Sequence, residues 1–108
     1  FNKHVISLTI KNSGLNDSQL NIISQLENLM ILNIQNNPLS DDGITNLNSL
    51  NHLERLNLYG TNVTDKSLET LASIKSLKKI YLWNTKVSKE KVSEFNQENK
   101  SKEALLDF

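Results

Sequence analysis

The stretch Leu29–Leu39, LMILNIQNNPL, decides how this chain is read. Leu32 and Ile34 alternate with Asn33 and Gln35, the period of a short strand with one buried face. Asn37-Pro38 turns the chain. Ser40-Asp41-Asp42 then opens a helix: Ser40 suits the N-cap, and the carboxylates favour the positive helix end. Ile44, Leu47 and Leu50 recur at three-residue spacing and give one apolar stripe. Asn51-His52 is the return loop.

Outward from this stretch, the pattern returns every 24 residues in both directions. Val5, Leu29, Leu53 and Leu77 share one register; Leu8, Leu32, Leu56 and Ile80 the next; then Ile10, Ile34, Leu58 and Leu82. Leu15, Leu39, Val63 and Val87 continue it, followed by Leu20, Ile44, Leu68 and Val92, and by Ile23, Leu47, Leu71 and Phe95. Leu26, Leu50 and Ile74 make the seventh column, which Glu98 breaks. The other repeats open their helices with Asn16-Asp17, Thr64-Asp65 and Ser88. A strand plus a short helix cannot bury its apolar side alone, so such units stack, and four exceed the roughly three needed for stability. The repeats run 5–28, 29–52, 53–76 and 77–100, with a tail or cap at 101–108.

Leu-x-x-Leu-x-Leu-x-x-Asn/Thr-x-Leu, in four tandem copies from about Val5 to Gln97, resembles the leucine-rich repeat. The resemblance implies an α/β fold: a right-handed curved solenoid, with a concave parallel sheet and short helices on the convex side, in a single domain over 1–108. One departure stands out. The family's turn asparagine is present only as Asn37; Ser13, Thr61 and Thr85 hold the equivalent places, and a hydroxyl bonds turn backbone more weakly than an amide. Tyr81-Leu82-Trp83-Asn84-Thr85-Lys86-Val87 is similar to short repeat tracts in bacterial extracytoplasmic proteins, some of which carry a c-type cytochrome domain elsewhere. That similarity implies a periplasmic or cell-surface setting and no redox role for this piece.

The bulk composition excludes several classes. The 108 residues suffice for one core, and no apolar run approaches the roughly 20 residues of a membrane span, so membrane insertion is not expected. Formal net charge is zero, which implies no strongly charged partner globally. The absence of cysteine excludes disulfides, thiolate metal sites, a cysteine nucleophile and a covalent c-type haem. The chain starts at Phe1 and reads as a piece of something longer. At the start, either Phe1 folds over the first repeat or an upstream segment does; the end, Glu103–Phe108, reads as a helical or extended cap over the fourth repeat, or as the start of a further domain.

Residues between the buried strand positions face the concave side. They form three columns: Ser7, Ile31, Arg55 and Lys79; Thr9, Asn33, Asn57 and Tyr81; Lys11, Gln35, Tyr59 and Trp83. The charged members are all basic, so this face is positive although the chain is neutral. Both tyrosines and the only tryptophan fall here, and aromatics with arginine dominate binding hot spots. The candidate site is therefore Tyr59, Tyr81 and Trp83, with Arg55, Lys79, Asn33, Asn57 and Gln35 around them.

Other constellations are weaker. Asp17, Asp41 and Asp65 recur once per repeat and are read as helix N-terminal caps, not as a metal ladder, because Lys89 takes the fourth place. His4 and His52 lie two repeats apart, roughly 10 Å, too far to share an ion. No nucleophile with its base, paired carboxylates in a cleft or glycine-rich phosphate loop is present, so no enzyme activity and no cofactor are expected. Three basic residues make a weak footprint for nucleic acid. The leading expectation is a protein-interaction module that anchors its partner on the aromatic patch. The alternatives are a carbohydrate-binding surface, with Asn33, Asn57, Asn84 and Gln35 supplying hydrogen bonds, or a structural spacer within a larger protein.

Overall fold

A computed structural model describes residues 6–106. Within it the repeated pattern becomes strands β1 (Ser7–Thr9), β2 (Ile31–Asn33), β3 (Arg55–Asn57), β4 (Lys79–Tyr81) and β5 (Glu103–Leu105). They lie in sequence order in one all-parallel sheet. Between them run helices α1 (Asp17–Ile23), α2 (Asp41–Ile44), α3 (Ser67–Ser73) and α4 (Lys89–Glu98). The fold is thus α/β, a five-stranded parallel sheet alternating with helical segments.

The register follows the sequence period. Leu8, Leu32, Leu56, Ile80 and Ala104 are successive partners across the sheet. The ladder continues past the strand ends, where the amides of Ile10, Ile34, Leu58 and Leu82 donate to the carbonyls of Asn33, Asn57, Tyr81 and Leu105. Leu32, Ile34, Leu56, Leu58, Ile80 and Leu82 are all fully buried. Each such side chain contributes about 1.5–3 kcal/mol over its exposed state. They join Leu20, Ile44, Leu47, Leu71 and Phe95 from the helical side in one core, so the helices cover a single face of the sheet.

The tail is extended and not helical. Ala104 and Leu106 continue the columns of Ile80 and Leu82, so the period runs beyond the fourth repeat into a fifth strand. The Asn96 carboxamide accepts from the Ala104 amide at 2.8 Å and donates to its carbonyl at 3.0 Å, covering the outer edge of β5 as a neighbouring strand would. Lys102 is buried in this cap, and burial pushes its ammonium pKa down.

Three expectations need correction. The seventh column predicts Leu26 in the core with Leu50 and Ile74; those two are buried, but Leu26 is 49% exposed because α1 is the outermost helix of the described residues. The second repeat is one α-turn, α2, continued as a 3₁₀-helix over Thr45–Ser49. Its Ile44, Leu47, Leu50 spacing of three is the 3₁₀ period. The third helix starts at Ser67, after Thr64-Asp65. Val5, Phe1, His4 and Phe108 lie outside the described residues.

The aspartate column also acts differently from the expectation. Asn16 and Ser88 cap their own helices, through the amides of Gln19 and Lys91. The aspartates instead reach into the following repeat. Asp17 accepts from the Ser40 amide at 2.9 Å, Asp41 from the Thr64 amide at 2.8 Å, and Asp65 from the Ser88 amide at 2.7 Å. The hydroxyls of Ser40, Thr64 and Ser88 donate to the second oxygens. Burial opposes ionisation of Asp41, yet the hydroxyls of Ser67 and Thr64, the Thr64 amide and Lys66 hold its carboxyl below the usual carboxylate range. Gly43 leaves room for this bridge: a Cβ there would collide with the Asp17 carboxylate.

Candidate binding surface on the open face of the sheet

The strands are three residues long, so the neighbours of each inward-facing central residue point to the face away from the helices. Arg55 and Asn57 flank Leu56 there, and Lys79 and Tyr81 flank Ile80. Strand β5 adds Glu103 and Leu105, opposite Lys79 and Tyr81. The expectation that this face carries no acidic group therefore needs correction. The signal was in the sequence, since Ala104 stands 24 residues after Ile80, but its small side chain hides the column.

Tyr59 and Trp83 sit two residues beyond the strand ends, before a residue of left-handed backbone. Asn12, Asn36, Gly60 and Asn84 hold that place, with φ of 53°, 57°, 71° and 58°. Asparagine and glycine tolerate this conformation better than other residues. The Asn36 amide donates to the Tyr59 carbonyl at 2.8 Å, and the Gly60 amide to the Trp83 carbonyl at 3.4 Å. Both aromatic residues are thereby tied into the sheet register. This period-24 column of asparagine and glycine was readable, but it is polar and lies outside the apolar pattern.

The three aromatic rings meet. Trp83 lies 5.4 Å from Tyr59 at 61° and 5.5 Å from Tyr81 at 89°, both edge-to-face. All three are half-buried, so the cluster is packed yet accessible. Arg55 and Lys79 are register partners on adjacent strands of the same face. The two ion pairs of the described residues, Lys78–Glu54 and Lys91–Glu94, involve neither.

The amides are less free. Asn33 and Asn57 accept from the backbone of Gln35 and Tyr59, at 3.3 and 3.0 Å, and Asn57 also donates to the Gln35 side chain at 3.3 Å. These groups shape the strand ends. Asn37, by contrast, is buried in the turn below. Its oxygen accepts from Ser13 and Leu15, and its nitrogen donates to Ile10 and Ile34, joining two repeats. Thr61 and Thr85 hold only their own turns, through the carbonyls of Leu58 and Leu82.

Among the described residues no cluster of His, Asp or Glu is placed to hold a metal ion, and no helix is long and apolar enough to cross a membrane. A groove of about 450 Å³ lies between α3 and α4, lined by Leu68, Ala72 and Phe95 with Asp65, Glu69 and Glu94 among its rim; none of the aromatic patch lines it. His52 is exposed. The sequence matches no family model and no curated protein.

Proposed function

We propose that this chain is a leucine-rich-repeat solenoid acting as a non-catalytic interaction module, and that it binds a protein partner across its concave sheet face. The observation that carries the reading is the packing of Tyr59, Tyr81 and Trp83 into one accessible cluster on the sheet face away from the helices. Packed aromatic anchors of this kind supply most of the energy in protein interfaces. The parallel register at the 24-residue sequence period supports the solenoid reading. The engagement of Asn33 and Asn57 by backbone amides weighs against the carbohydrate reading, which needs such groups for the ligand.

A pull-down from extracts of the source organism tests this, with the proteins retained identified by mass spectrometry. The wild type is compared with a Tyr59→Ala, Tyr81→Ala, Trp83→Ala variant whose fold is confirmed by circular dichroism. The expected result is a protein retained by the wild type and lost by the variant. Equal retention by both removes the aromatic patch from the interface and favours the spacer reading.

A further inference from the structure

We propose that the segment received by this face is acidic and extended, with a carboxylate between Arg55 and Lys79 and a large apolar side chain on the Tyr59–Tyr81–Trp83 cluster. This rests on the reading of the face as protein-binding, and it specifies the chemistry of the partner.

Arg55 and Lys79 stand directly opposite on adjacent parallel strands, and like charges in that position oppose sheet formation. The chain neutralises the neighbouring position, where Lys78 meets Glu54 at 3.6 Å; Glu103 faces Lys79 from its outer side without forming an ion pair, and no acidic register partner stands beside Arg55. An external anion between the two would relieve their repulsion.

On the far side of Lys79 the register partner is Glu103, which repels a carboxylate. On the far side of Arg55 it is Ile31, which offers no charge. The favourable position is therefore confined to the space over β3 and β4.

Arg55 to Tyr59 and Lys79 to Trp83 are each four residues along an extended chain, about 13 Å at the usual strand rise. Tyr81 lies midway on the same face and packs on Trp83. A partner running along the strands thus presents its acid and its apolar anchor about four residues apart. A nucleic-acid backbone fits less well, because it rewards a longer row of cations than these two.

Trp83 is the only tryptophan, so its fluorescence reports on this patch alone. The full chain is titrated with the peptide acetyl-GSDETSLFSG-amide and with its uncharged counterpart acetyl-GSNQTSLFSG-amide. The acidic peptide is expected to perturb Trp83 emission with an affinity at least about tenfold higher at low salt, the advantage shrinking as salt shortens the Debye length. Arg55→Ala with Lys79→Ala should abolish the difference and leave the weaker, uncharged binding. Equal affinity of the two peptides overturns the acidic specificity while leaving the aromatic interface standing. A tighter response to single-stranded oligothymidylate than to the acidic peptide overturns it in favour of nucleic acid, and silence toward both peptides also overturns it. The pull-down above uses the aromatic variant, so failure of the interface itself is read separately.

Discussion

The two faces of the sheet are built from the same strands in the same register, yet they differ in kind. On the buried face one column reads Leu8, Leu32, Leu56, Ile80 and Ala104; on the open face the adjacent column reads Ser7, Ile31, Arg55, Lys79 and Glu103. Packing at interior density favours apolar side chains, so the buried column repeats with Leu and Ile until the smaller Ala104 at the edge strand. The open face carries no such constraint, so its residues diverge from strand to strand. On that unconstrained face the divergent residues gather into one aromatic cluster beside two cations.

Adjacent residues test this contrast most sharply. Leu56 is fully buried in the middle strand, and Leu56→Ala should cost about 2–5 kcal/mol, read from the urea midpoint. A loss below about 1 kcal/mol would mean the stacked core is looser than its burial indicates.

An intermediate effect belongs to the bridges that join repeats on the helical side. Asp41→Asn removes a charge-assisted acceptor for Thr64 and Ser67 and should cost about 1.5–3 kcal/mol at neutral pH. The folded-state pKa of Asp41 lies below its ordinary 3.8, so this contribution is complete above that value and is lost as pH falls through the lower, folded one. Urea unfolding at pH 7 and at progressively lower pH should show the variant and the wild type converging in acid. A gap that persists there would assign the bridge to shape and not to charge.

The smallest effect is expected next door to the largest. Arg55→Thr changes the residue beside Leu56 on the opposite face, removes a like charge from Lys79, and should leave stability within about 0.5 kcal/mol of wild type. A large loss would show that the open face is structural after all and would erase the contrast between the two sides.

Much of the architecture was legible in advance. Apolar residues at a fixed period mark strands and helix stripes because burial restricts composition strongly, and the Leu32, Leu56 and Ile80 column paired as its spacing requires. The aromatic cluster was also legible, since strand alternation alone brings Tyr59, Tyr81 and Trp83 to one face. Less legible was the fate of polar groups. Asn33 and Asn57 look available in the sequence, but each folds back onto a backbone amide two residues on. Asp17 and Asp41 open their helices and Asp65 lies two residues before one, so all three look like local caps, but their acceptors are used by a residue 23 positions away.

The sequence by itself determined the period, the direction each strand residue faces and the identity of the aromatic patch, because these follow from local geometry and from the exclusion of apolar surface from water. Only the tertiary structure decided that Leu26 stays exposed, that the tail forms a fifth strand bringing Glu103 to the open face, and that the aspartates join neighbouring repeats. Those outcomes depend on which repeat lies beside which, and at what distance. A hydrogen bond exists only when donor and acceptor meet within about 3.5 Å, and sequence spacing alone does not set that separation.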